Sequence, residues 1–228
     1  MIIDGRKVLY KMRNGKIVDS NIPTDGLVCY LDTRGKTNMD KHRGTLIDLS
    51  GNGNHVTLQN FGFNEKSGYV KDLSGGGTSG LKFDGLDDYF KLELSNSIGD
   101  LTFMLNAKIM AKIALKTNPF YIDNGLFLMY KPIGYEVFSI GLRLKSGSMH
   151  RKNLGTLTDS VIVSRKNDTT SVYINGNKTD VQTITDPQKI FYVGSSKSLT
   201  NFAYMNLDKI AIWNRALTDK EIQQLMEV

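Results

Sequence analysis

Short β-prone runs separated by turn clusters continue along almost the whole chain, and this pattern restricts it to an all-β architecture more tightly than any single motif does. The runs are Leu27–Leu31, His55–Gln59, Gly80–Phe83, Tyr89–Leu94, Leu101–Ile109, Leu126–Tyr130, Val137–Leu144, Ser160–Arg165, Ser171–Ile174, Ile190–Val193 and Leu207–Trp213. Each is long enough for a strand and short for a packed helix. Two Asn-Gly pairs, Asn14-Gly15 and Asn175-Gly176, sit between such runs. Both residue types tolerate positive φ, which a type I′ hairpin turn requires. Helix chemistry is confined to the C-terminus. There Thr218-Asp-Lys-Glu221 spells a capping box, in which the Thr hydroxyl caps the first turn and the Glu reaches back. Ile222, Leu225 and Met226 then fall on one face of a short helix.

A chain of 228 residues with 40% apolar residues suits one large sandwich domain. No apolar run reaches the length of about 18 residues that a membrane-spanning helix needs. The opening Met-Ile-Ile-Asp-Gly-Arg-Lys places its charges too close to any apolar stretch for a secretory signal. Cys29 is the one cysteine, so no disulfide forms within the chain, and its place in an apolar strand predicts a buried thiol.

The formal charge of +6 is unevenly spread. Arg6, Lys7, Lys11, Arg13 and Lys16 face only Asp4 in residues 1–16, which leaves residues 17–228 at +2. A nearly neutral body lacks the basic stripe of a phosphate-binding face, so nucleic acid is not an expected partner. Residues 1–22 read as a basic arm with a hairpin around Asn14-Gly15, and residues 23–228 as the main domain. A lone hairpin is marginal in water, which predicts that the arm packs on the body or on another subunit.

Several motifs occur in an order that resembles laminin G-like domains of the concanavalin A-like class. They are Gly26-Leu-Val-Cys-Tyr-Leu-Asp32, Asp48-Leu-Ser-Gly-Asn-Gly-Asn-His55 and Leu81-Lys-Phe-Asp-Gly-Leu-Asp-Asp-Tyr-Phe90. Val161-Ile-Val-Ser-Arg165 with Val172-Tyr-Ile-Asn-Gly176, Ile190-Phe-Tyr-Val-Gly-Ser195 and the closing Asn214-Arg-Ala-Leu-Thr218 complete the series. The resemblance implies an antiparallel two-sheet jelly-roll sandwich with a short C-terminal helix, with Phe83 and Tyr89 entering the core. Two departures stand out. Lys209 occupies the place of an acidic residue in Gly-x-Ile-Asp-Glu, and Asn106 lies where relatives carry a Trp.

Calcium is the cofactor the resemblance raises. A hard cation takes about 6–8 oxygens, and Asp48, Asn52, Asp84, Asp87 and Asp88 are the candidate donors. The same residues also suit turn capping, which is the reading their motifs favour. Glycan recognition calls for aromatic faces and planar polar groups. Tyr121, Tyr130, Tyr135, Arg143, His150 and Arg151 are the candidates, all in the segment that matches the resemblance least. Aromatic residues within strands also serve as core, so the two roles compete for the tyrosines.

Catalytic signatures are missing. Retaining glycosidases need two carboxylates about 5–5.5 Å apart. In glucanases of this class the pair comes from a Glu-x-Asp-x-Glu strand, and none of Glu65, Glu93, Glu136, Glu221 or Glu227 has an Asp two residues on. His42, His55 and His150 lack the spacing of a zinc hydrolase, and Gly75-Gly-Gly77 lacks the Lys-Ser/Thr of a phosphate loop. The expected function is a non-catalytic carbohydrate-recognition or adhesion module. The setting expected is a phage tail or baseplate, assembled in the host cytoplasm without an export signal and contacting cell-wall glycan. The arm would join it to other virion proteins or to further copies of itself. A glycan-active enzyme and an architectural protein-contact module are the alternatives.

Overall fold

The computed structural model describes residues 21–34, 44–70, 80–109, 160–167, 169–178 and 189–226, and the backbone of strand residues 2–3, 6–7, 10–13, 16–19, 71, 78–79, 117–122, 126–131, 137–143, 149–155, 179–183 and 188. In chain order the strands are β1 (Ile2–Ile3), β2 (Arg6–Lys7), β3 (Tyr10–Arg13), β4 (Lys16–Asp19), β5 (Leu27–Asp32), β6 (Thr45–Leu46) and β7 (Val56–Gln59). There follow β8 (Gly68–Lys71), β9 (Thr78–Asp84), β10 (Tyr89–Ile98), β11 (Leu101–Ile109), β12 (Thr117–Ile122), β13 (Leu126–Lys131) and β14 (Val137–Arg143). The last are β15 (Met149–Gly155), β16 (Ser160–Lys166), β17 (Thr169–Ile174), β18 (Asn177–Thr183), β19 (Gln188–Val193) and β20 (Tyr204–Trp213), before helix α1 (Asp219–Met226).

Two antiparallel eight-stranded layers form the sandwich. Sheet I runs β15-β14-β13-β12-β19-β10-β7-β6. Sheet II runs β18-β17-β16-β11-β20-β9-β8, with β5 added on β20. Strand β20 organises sheet II: β11 flanks it on one side, while β9 pairs with its first half and β5 with its second. The expected hairpin at the arm is present as β3 paired with β4, Arg13 opposite Lys16. The second Asn-Gly signal is also realised, with Asn175 and Gly176 both at positive φ between β17 and β18. The short β6 and β8, along with β12, β15 and β18, were not legible as strands, because their runs mix polar and apolar residues without clear alternation.

Aromatic rings join the layers. Phe103 of β11 stacks on Phe191 of β19 at 5.9 Å, and Phe83 of β9 meets Phe90 of β10 at 6.3 Å. All four rings are almost fully buried. Phe83 takes the core place expected of it, whereas Tyr89 is only half-buried and lies beside Phe202 at the rim. Strand alternation explains the exchange. Phe90, Leu92 and Leu94 share the inward face of β10, which puts Tyr89 on the other one.

The outer face of sheet II is buried too. Tyr30, Met104, Ile162, Tyr173, Ala211 and Trp213 pack there against Ile22, Leu217, Ile222 and Leu225. Strands β11, β16 and β20 therefore carry near-continuous apolar runs in place of simple alternation. The helix that seals this face is capped as the sequence predicts. Glu221 Oε2 accepts from the Thr218 amide at 2.8 Å, and the Glu221 amide donates to Thr218 Oγ1 at 3.3 Å. Arg215 also donates to both Glu221 oxygens, and its hydrogen bonds are the main cause holding the Glu221 carboxyl down to about 2. A depressed carboxyl stabilises the fold above its unfolded value of 4.5 and loses that contribution as pH falls toward 2. Glu221→Ala is expected to lower the unfolding free energy by about 1–2 kcal/mol at pH 7. The urea midpoints of variant and parent should converge by pH 2–3; a constant gap would refute the assignment.

Candidate functional site

The two ends of β20 define two rims of the sandwich. Tyr204, at its start, registers with Asp84 of β9, and Trp213, at its end, registers with Leu27 of β5. At about 3.3 Å per residue these rims are about 30 Å apart. The candidate oxygen donors divide between them and do not form one ligand set.

Asp48 and Asn52 belong to the Leu27 rim. Asp48 Oδ1 accepts from the amides of Tyr30 and Ser50, and Oδ2 from Ser50 Oγ and the Asn54 amide. Asn52 Nδ2 donates to the carbonyls of Leu27 and Val28. The Asp48 amide donates to His55 Nδ1 at 3.0 Å. These contacts fold residues 48–55 onto β5, so the turn-capping reading accounts for both residues. Cys29 beneath the loop is buried, and that burial is the main cause raising its thiol pKa well above the usual value.

Asp84, Asp87 and Asp88 sit at the other rim with carboxylate oxygens all within 4.8 Å of one another. Asp88 is completely buried and its oxygens are engaged: Oδ1 accepts from Ser67 Oγ at 2.9 Å, and Oδ2 from the Asp84 amide at 2.8 Å. Asp84 Oδ1 accepts from the Leu86 amide. Asp84 and Asp87 are the more accessible acids here, and a calcium ion would be held through them and turn carbonyls. Both Asp88 oxygens already accept protein donors, so the carboxylates alone fall short of the 6–8 oxygens calcium takes, and those contacts mark Asp88 as a structural brace.

Burial pushes the Asp88 carboxyl up to about 6; the charges of Asp84 and Asp87 act the same way, while its two donors oppose the rise. The folded state thus holds a proton that the unfolded chain releases near 3.8. This contribution is fully present below pH 3.8 and is lost as pH rises through 6. Its size is at most about 3 kcal/mol, at 1.36 kcal/mol per unit. In Asp88→Asn the change in unfolding free energy between pH 4 and pH 7 should shift by that contribution relative to the parent. Identical pH profiles in urea titrations would refute this.

Lys209 has an unexpected setting. It is 4% exposed, and the register puts it opposite Asp32 of β5, itself 1% exposed, and opposite Asn106 of β11. The residue that departs from the Gly-x-Ile-Asp-Glu pattern thus faces an acid across the sheet. Asn106 accepts a hydrogen bond from Ser160 Oγ at 2.8 Å.

The predicted glycan residues fall on sheet I. Tyr135 lies outside the described residues, as do the side chains of Tyr121, Tyr130, Arg143, His150 and Arg151. Backbone register nonetheless places several of them. One row crosses the sheet through Lys91, Tyr192, Tyr121, Phe127, Gly141 and Arg151. His150 is on the adjacent row with Phe191, Ile122, Leu126 and Leu142. Tyr130 pairs with Thr117 and Phe138, and Arg143 with Met149. Tyr121 and Arg151 therefore share a row, and Tyr130, Arg143 and His150 do not join it. On the described part of this face, Tyr89 and Tyr192 are half-buried while Lys91 and Glu93 are exposed and ion-paired at 2.8 Å. Tyr192 belonged to this surface but carried no signal of its own, since Phe191 and Tyr192 are told apart only by register.

A cleft of about 280 Å³ opens at the Leu27 rim, between the tail of β10, Asn54 and Asn214. No motif had pointed to it.

Residues 147–223 match a laminin G family model described as concanavalin A-like lectin/glucanases superfamily. No curated protein sequence matches the chain. Among solved structures, a Trypanosoma rangeli sialidase in complex with sialic acid is similar at TM-score 0.64 and 17% identity, over 90% of this chain and 33% of that one. The binding domain of Paraclostridial Mosquitocidal Protein 1 is similar at TM-score 0.63 and 14% identity, over 89% of this chain and 52% of that one. The chain thus spans about a third to a half of these structures. At such identities the likeness establishes the fold alone, an antiparallel two-sheet jelly roll.

Proposed function

We propose that this chain is a non-catalytic carbohydrate-recognition module. The observation that carries the reading is the asymmetry of the sandwich. Over β5, β11, β16, β17 and β20, sheet II is covered on both faces, by the core and by the helix with its flanking residues. Sheet I, among its described side chains, alternates and leaves Lys91, Glu93 and Tyr192 at least partly open to solvent. An open strand face bearing tyrosine and charged groups, with polar loops on a rigid rim, suits a ligand rich in hydroxyls. The match to a lectin and glucanase family model supports this reading by analogy of fold.

The enzymatic alternative would need the Asp84–Asp88 cluster, where one carboxyl has its pKa raised and two others are near. Asp88 is fully buried with both oxygens engaged, so substrate does not touch it, and that argues for binding over turnover. The biological setting we propose is a phage tail or baseplate that contacts host cell-wall glycan, with the basic arm joining the domain to virion partners or to further copies. The arm's net charge of +4 in residues 1–16 supports a docking role against an acidic surface.

Incubating the full chain with purified cell-wall polysaccharide tests the reading. Saturable retention without released saccharide is the expected result. Release of product by mass spectrometry would establish the enzyme, and no retention on any polysaccharide would leave the architectural reading.

A further inference from the structure

Strand β10 breaks its own pattern where the cleft begins. It alternates buried and exposed from Tyr89 to Leu94, and then Ser95, Asn96 and Ser97 are all exposed before Ile98 turns inward. The pairing shows why. Glu93 registers with Ile190 and Ile98 with Gln188, so the β10 stretch is longer than the β19 stretch it faces. Such a bulge unpairs a short segment and re-aims its side chains, a device found beside functional sites. Regular alternation would have turned Asn96 toward the core, together with Leu92 and Leu94.

The segment is held firmly. Buried Arg165 donates from Nη2 to the Ile98 carbonyl at 3.1 Å and also to the Gly99 carbonyl. Asp100 Oδ1 accepts from the Asn167 amide at 2.9 Å. Across the cleft, Asn54 is anchored through Nδ2 to the Val28 carbonyl at 2.9 Å, and Asn214 through its amide to the Gly26 carbonyl. Two rigid walls therefore present amides, hydroxyls and one carboxylate to a shared space.

We infer that this cleft is a subsite for a single neutral sugar unit. The proposal rests on the recognition reading above and assigns it a place and a ligand class. Side-chain amides and a carboxylate each offer planar, directional groups that match vicinal hydroxyls, and Asn54, Asn96, Asp100 and Asn214 supply them around the opening. Among the described residues no Lys, Arg or His lines it, and Asp100 is acidic, so an anionic sugar meets no counter-charge. Its 280 Å³ lies just under the roughly 300 Å³ at which pockets for drug-sized ligands begin, the scale of one ring and not of a chain. The cleft is at the opposite end of β20 from the acidic turn, so recognition here needs no cation from Asp84–Asp88.

The test is a titration of the ¹⁵N-labelled full chain with methyl glycosides of glucose, galactose, mannose and N-acetylglucosamine, and with N-acetylneuraminic acid as the acidic arm. The side-chain amide signals of Asn96 and Asn214 should move with at least one neutral glycoside and stay still with the acid. Asn96→Ala, an exposed position, should weaken that Kd about tenfold, the scale of one hydrogen bond. Ser97→Tyr, which narrows the cleft, should abolish binding while the remaining backbone spectrum stays native. Neutral binding with the parental Kd in both variants would overturn the assignment and leave glycan recognition standing elsewhere on the domain. Movement of the cleft signals by the acidic sugar would overturn the ligand class. If neither cell-wall polysaccharide nor any glycoside binds, the subsite and the recognition reading fall together.

Discussion

Trp213→Ala is expected to lower the unfolding free energy by about 3–5 kcal/mol, the range for removing a large aromatic from a packed core. Trp213 is fully buried at the end of β20, between the outer face of sheet II and the residues that cover it, Ile22, Leu217, Ile222 and Leu225. Its Nε1–H donates to the Pro23 carbonyl at 2.7 Å, which ties the chain entering β5 to the strand that closes the sheet. Alanine removes both the ring and this tether. Trp213→Phe should recover most of the packing while leaving the Pro23 carbonyl without its donor, at about 1–2 kcal/mol. Because Trp213 is the sole tryptophan, urea unfolding should be followed by circular dichroism and not by indole fluorescence. Equal midpoints for parent and Trp213→Ala would show that the helix-covered face is not part of the cooperative fold.

Gly194→Ala is expected to cost a comparable amount, about 2–5 kcal/mol, from two independent sources. Its φ of +86 is the left-handed region, which costs an L-residue about 1–2 kcal/mol. A Cβ there would stand 2.6 Å from Phe83 Cδ1 and 2.8 Å from the Asp88 carbonyl. Phe83 is held by Phe61 and Phe90, so it has nowhere to retreat, and overpacking adds about 1–3 kcal/mol. The substitution couples the core to the acidic turn, since it presses on both at once. Loss of soluble folded protein, or a matching drop in urea midpoint, is the expected readout. A midpoint within about 0.5 kcal/mol of the parent would mean that the β19–β20 connection relaxes freely.

Some parts of this structure were legible because their chemistry is local. The capping box at Thr218 and Glu221 acts within four residues, and the Asn175-Gly176 turn needs only its own positive φ. Leu101–Ile109 matched the observed strand at both ends, since a run of β-formers declares itself wherever it packs. Tyr89 and Phe90 show the limit. Both are aromatic neighbours in one motif, and only the pairing of β10 with β7 and β19 settles which of them enters the core. The candidate oxygen donors show it again. Asp48 and Asp84 share a turn-like vocabulary, but Asp48 bridges Leu31 opposite Ile210 while Asp84 lies opposite Tyr204, about 20 Å away along β20.

Residue order alone specified an all-β sandwich, its hairpin turns, its buried thiol and its capped terminal helix, because each follows from backbone preference and hydrophobic period over a few residues. Tertiary pairing decided the rest. It covered the central strands of sheet II beneath the helix, left Lys91 and Glu93 of sheet I exposed, set Lys209 against Asp32, buried Asp88, and aimed Ser95, Asn96 and Ser97 into a cleft. Those outcomes depend on register between strands distant in sequence. A shift of one residue in that register exchanges inside for outside, and no local pattern records it.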